Sequence, residues 1–586
     1  GCVVLLASAN GACVGWAVGL AGSVSAGSGA LLGSGANAAP GGAIALAAGA
    51  AVGGPGSLAL AGDIGGAFAL SKVGSGTLTL SGINTYTGGT ALAAGSLVLG
   101  SADAIGGSGT VSWGGGTLQH TGSNTTDYSV RFSTANNQAY KIDTNGQDIT
   151  WATGLTSTGG SLGKEGAGKL TLSGANTYEG TTRIGAGSLH LVGGNAIAAT
   201  GAVNLSASGA NVTLAADQTI GSLAGVTGTS VTLGSSILTT GDASSTVFAG
   251  TMEGTGGLLK QGLGSFTLSG TNTFTGITQL DAGTLVLGAA NVLSESSSLV
   301  VSAGSFDLGG GSNTLAGVQQ TGGTIANGTL TSTTAFDMQA GTASAVLAGS
   351  AGLDKTTIGT VTLSGVNTYT GGTRLTEGSL IAGVATNAFG ASSSDISVNG
   401  GSLNLGAFDQ TVGAVTIGSS GGSITSSSGL LTGDSYTFNN TGTNAATVSA
   451  SLAGAGVLTQ AGSGTTTLSG SNTYSGGTTI TAGTLALGSA GAIGSSGTVS
   501  FGGGTLKAFD TTDYSARFSN AASQAYKIDT NALSITLATA LTSAGGTLQK
   551  SGLGTLTLTA DNTFSGASTS AESGLASAMA CAKSSQ

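Results

Sequence analysis

Residues 72–100 read KVGSGTLTLSGINTYTGGTALAAGSLVLG, and the same 29-residue frame returns at 164–192, 260–288, 355–383 and 460–488. A sixth, partial copy covers 550–568. Self-similarity on this scale is the signature of a stacked architecture, in which each unit buries its apolar face only against its neighbours. Inside the frame the period is two: Leu78 and Leu80 fall on one face of a strand, Thr77 and Thr79 on the other, and Leu97 and Leu99 repeat the pattern. Between these strands lies a run of turn formers around G-x-N-T-[YF]-x-G. It keeps Asn at 84, 176, 272, 367, 472 and 562, and an aromatic two places later at Tyr86, Tyr178, Phe274, Tyr369, Tyr474 and Phe564. Strand, turn, strand with one apolar face predicts an all-β fold, a right-handed parallel β-helix of stacked short strands. The first five copies start 92 to 105 residues apart, which predicts about four solenoid turns per interval and roughly 24 turns in all.

Composition narrows the class. Of 586 residues 111 are Gly, 2 are Pro, 4% are aromatic and 6% are charged, against about 25% charged in an ordinary soluble chain. Disorder needs low hydrophobicity and high net charge, whereas mean hydropathy here is +0.33 and the formal charge is −10. Collagen needs glycine at every third residue and abundant proline, and neither is present. Fourteen Lys and Arg provide no basic stripe for phosphates, so no nucleic-acid partner is expected. The three cysteines, Cys2, Cys13 and Cys581, sit at the ends and leave the repeats free of thiols. That distribution fits both an exported chain kept unbridged in transit and the simple poverty of Gly/Ser/Thr repeats in cysteine.

The expected organisation has three parts: an uncharged Gly/Ala/Ser-rich segment over 1–57, read as an incomplete end; a repeat-bearing solenoid over 58–568; and a non-repeat tail over 569–586. The intervals between copies carry weaker strand–turn texture. Two of them match closely, TVSWGGGTLQH from Thr110 and TVSFGGGTLKA from Thr498, and both continue into R-F-S and Q-A-Y-K-I-D-T-N. They form a distinct cassette. No run of alternating ten-residue strands follows the last copy, so no translocator barrel is expected within 569–586.

The pattern [KQ]-x-G-x-G-[TSK]-L-[TV]-L-S-G-x-N-T-[YF]-x-G resembles the autotransporter-associated β-strand repeat, found in passenger regions of type V secretion proteins of Gram-negative bacteria. The resemblance covers the six copies directly. It implies a β-helical region at the cell surface, on the outer membrane or secreted, exported through an outer-membrane translocator barrel that is absent from this chain. It implies a structural or adhesive role in cell–cell, host or matrix contact, including glycan surfaces.

A search for chemistry leaves little. His120 and His190 are isolated, and His190 in S-L-H-L-V reads as a solvent-facing strand residue. Gly418–Gly422, GSSGG, matches G-x-S-x-G formally, but it lacks the strand-to-helix elbow and the His–acid pair. Too few Cys and His remain for zinc, and no cofactor is expected. The recurrent Asn and aromatic residues read as turn and ladder positions, and the Lys that opens five copies as a solvated edge residue. The expectation is therefore a non-enzyme. Its rivals are a polysaccharide-acting enzyme, which would need carboxylates converging from neighbouring turns, a pure spacer stalk, and a non-functional gene fragment.

Overall fold

A computed structural model describes residues 43–46 and 48–570, together with the strands Val4–Leu6, Val18–Leu20 and Leu31–Gly33. The three cysteines, most of the tail and most of the first 42 residues lie outside the described residues. Among those described there is no α-helix. Two single 3₁₀ turns, Ser129–Arg131 and Ser515–Arg517, are the helical exceptions to short strands. Strand pairs with strand in parallel throughout, so the fold is a parallel β-solenoid of about 26 turns. It divides into two compact units, 1–298 and 299–586.

In the first unit the alternation T-L-T-L becomes a ladder. Leu58 registers with Leu78, Leu78 with Leu97 and Leu97 with Leu118, and all four are 0–2% exposed. Side chains on one face of each strand point into the solenoid and stack on the same position of the next turn. A buried leucine contributes about 1.5–3 kcal/mol, so the apolar columns stabilise the stack. Corners between faces are tight. Gly95 holds φ +64, and a Cβ there would stand 2.3 Å from the Gly76 carbonyl of the turn before.

Successive copies do not always sit on the same face. In copy one, Lys72 lies on Leu70–Val73, and the T-L-T-L strand Thr77–Leu80 lies on the next face. Lys164 of copy two lies on Ser161–Glu165, which belongs to the ladder running up from Thr77–Leu80. Copy two is thus turned by one face. The second unit repeats the manoeuvre. Lys355 and Gln460 share one ladder, whereas Lys550 lies on the ladder that holds Thr465–Leu468. In each unit the matching cassette precedes the copy that is turned; copy three, with Ser265–Leu268 back on the ladder of Thr77–Leu80, returns to the phase of copy one without a cassette. Interval length also departs from the expected four turns. From Leu353 to Leu458 the ladder climbs through Thr373, Ile396, Val415 and Tyr436, which makes five.

The cassettes are packed by aromatic rings. Phe132 meets Trp113 and Trp151 edge-on at 4.6 and 4.8 Å, and Tyr140 completes the group. Phe501, Phe518 and Tyr526 form the second cluster. Ala508 takes the place of His120, each amide donating to the carbonyl of an equivalent Asp. Leu537 takes the place of Trp151. Beside these smaller residues a cavity of about 20 Å³ remains, lined by Leu506, Ala508, Phe518 and Leu537.

Candidate functional site

The repeat positions resolve into three hydrogen-bonded devices. Asn84 is buried. Its Oδ1 accepts from Ile64 N at 2.8 Å and its Nδ2 donates to Ala104 O at 2.6 Å, each partner 20 residues away. One side chain thus clamps the turn before and the turn after. Asn176, Asn272 and Asn367 do the same at 2.6–3.0 Å, and Asn472 clamps Leu452 N and Ala492 O. Asn562 accepts from Leu541 N, but its amide turns to Ala560 O of its own strand segment.

The aromatic residue points inward. Tyr86 Oη lies 2.7 Å from Thr90 Oγ1, and Tyr178–Thr182, Tyr369–Thr373 and Tyr474–Thr478 repeat the pair at 2.5–2.7 Å. Burial raises these phenols above their ordinary range, Tyr474 to about 12. Phe274 has no hydroxyl, and the buried Thr278 Oγ1 that would meet it has no partner. A buried hydroxyl left unpaired costs stability.

The lysines correct the sequence reading. Lys72, Lys164, Lys260, Lys355 and Lys550 are 0–4% exposed rather than solvated at an edge. Lys72 Nζ donates to Val73 O, Gly74 O and Ala94 O at 2.8–3.0 Å. Lys164 and Lys260 meet three carbonyls in the same way. An ammonium has three donors and no acceptor, which matches a corner where carbonyls of two turns converge. Burial lowers the amines of Lys72 and Lys164 to about 8. Gln460 fills the corner in copy five through Nε2, with its Oε1 unpartnered. Gln320 does likewise in the interval before copy four, a degenerate cap that its sequence context, V-Q-Q-T-G-G, hardly signals.

The remaining candidates are dispersed. His120 is buried with Nδ1 2.9 Å from Asn124 O, and burial lowers its pKa, keeping it neutral. His190 is half-buried on Ser188–Leu191 between Thr171 and Thr213 of adjacent strands. GSSGG is a turn closed by Gly421 N to Gly418 O. Among the described residues no three of His, Cys, Asp and Glu are grouped to hold a metal ion.

The repeat side chains of this solenoid bind its own backbone and so build a scaffold. The model of the passenger-associated-transport-repeat matches residues 70–99, 162–191, 258–287, 353–382, 458–487 and 548–574. Those six stretches coincide with the six copies read from the sequence. It is 31% identical over 403 residues to the "Adhesin BmaC autotransporter" of Brucella suis biovar 1 (strain 1330), a stretch covering 62% of this chain and 11% of that protein. The chain thus spans only a small part of its relative's length. No solved structure matches.

Proposed function

We propose that this chain is a surface-exposed or secreted autotransporter passenger region, exported through an outer-membrane translocator barrel, and that it acts as a non-enzymatic adhesive surface. The observation that carries this reading is the passenger repeat set six times into a parallel solenoid, in a chain similar to an autotransporter adhesin. The physical logic agrees with it. Stacked turns need little charge, add stability turn by turn, and hold long faces rigid while outward residues vary. The test is adhesion. Beads or non-adherent bacteria displaying the chain should bind cultured host cells, matrix-coated surfaces or one another above a scaffold control. A clean negative on all three would leave a spacer. Turnover of a polysaccharide panel by the purified chain would overturn the non-enzymatic reading.

A further inference from the structure

One face of the second unit carries a long outward column of hydroxyls. Ser397, Thr416, Thr437, Thr459, Thr479 and Ser500 occupy register-matched positions on six successive turns. All are half-buried on the outer side of their strands, and none of their hydroxyls has a hydrogen-bond partner among the described residues. At about 4.8 Å per turn the column is about 24 Å long. On one sheet of the first unit, by contrast, outward side chains bond one another: Asn211 bonds Ser230 and Thr213, and Thr232 bonds Glu253.

The column runs at its N-terminal end into an open recess of about 420 Å³. Gly352, Gly371 and Gly372 leave its corner without side chains. A Cβ on Gly371 would stand 2.5 Å from Gly352 N. Arg374, in register with Ser397, stands over the recess with a loose contact to Asp354, Nη1 to Oδ1 3.9 Å, both side chains well exposed. Across from them the exposed Asp395 uses Oδ1 to accept Ala414 N at 2.8 Å and keeps its second oxygen available.

From this geometry we infer that the recess and hydroxyl column form one binding track for an extended neutral polysaccharide. The inference rests on the adhesive reading above and gives it a ligand class. Carboxylate and guanidinium groups are the strong hydrogen-bonding partners for sugar hydroxyls, and Ser and Thr both donate and accept. A turn spacing of about 4.8 Å is close to the advance of one sugar residue along an extended chain, so each turn offers one hydroxyl per sugar. Two carboxylates against one arginine disfavour a polyanion. Strands here are paired on both sides, so a peptide finds no edge to extend. No aromatic platform lines the recess, so the single-site affinity is weak and adhesion depends on many contacts at once.

The experiment uses the full chain and soluble neutral gluco- and manno-oligosaccharides long enough to span the column, with heparin oligosaccharide as the anionic control. Affinity is read by titration NMR or calorimetry at two salt concentrations. Expected is salt-insensitive binding of a neutral oligomer, weakened about tenfold in Asp395→Asn or Arg374→Gln and about threefold in Thr416→Val or Thr437→Val. Thr467→Val, on a neighbouring face, should leave it unchanged. Circular dichroism and the urea midpoint certify that each variant is folded. Preference for heparin, indifference to the recess variants, or no binding of any neutral oligomer overturns the inference. Adhesion that survives the recess variants would retain the adhesive reading and sink this one. Saccharide binding without adhesion to any surface would do the reverse.

Discussion

Three carbonyl oxygens converge on the corners of Lys72, Lys164 and Lys260, and the side chain that answers them decides how well the corner closes. Gln460 brings two donors and an acceptor that faces no donor. Gln460→Lys is expected to stabilise the fold by about 1 kcal/mol, and Lys164→Met, which strips the carbonyls of their donor, to destabilise it by about 1–3 kcal/mol. Urea midpoints of the two variants should move in opposite directions. Phe274→Tyr supplies the partner that Thr278 Oγ1 lacks and should add about 0.5–1.5 kcal/mol; a fall instead would mean that the ring edge is closed to a hydroxyl. Lys72 and Lys164 also set a pH dependence. Their folded pKa of about 8 lies below the ordinary 10.5, so between these values the unfolded chain binds more protons. Stability from these groups therefore rises as pH climbs through the window. The urea midpoint should increase from about pH 7.5 to 10.5, with a smaller slope in Lys72→Met and Lys164→Met. The leucine alternation and the Asn frame could be read from residues alone, because each follows a local period. The buried lysines could not. Lysine is almost never fully buried without partners, and the corner here is completed by a carbonyl 22 residues away.

At the scale of elements, strands were legible wherever a T-L-T-L alternation occurs, and the paired cassettes were legible as matching strings. The change of face was not. It depends on how many residues each turn consumes, and bonds inside the cassette span as many as 25–28 positions, Trp113 to Gln138 and Lys141, against 20 at Asn84. The binding track was hidden for a related reason. Ser397, Thr416 and Thr437 lie in strands outside the motif, and only register brings them into line. Aromatic packing holds the cassette's irregular turns in place. Trp151→Leu would leave unfilled space around Phe132 and should cost about 2–4 kcal/mol. Thermal or urea unfolding followed by the fluorescence of Trp113 would report the loss, and an unchanged midpoint would show that the cluster is dispensable.

For the molecule as a whole, contacts run only between adjacent turns within each unit, so stability is a sum of turn and interface terms rather than a property of one core. Equilibrium unfolding in urea should therefore depart from two-state behaviour. Hydrogen exchange followed by mass spectrometry should show protection disappearing in contiguous blocks of turns; a single coincident transition for all peptides would contradict the linear account. The rotation of copies two and six by one face carries a further meaning for how such a chain is lengthened. Because lysine cap, leucine strand and Asn clamp work equally well wherever around the axis they are seated, a duplicated segment need not contain a whole number of turns. Inheritance can add length in increments of a single face, each one re-aiming the turns that follow until another partial turn restores the first orientation.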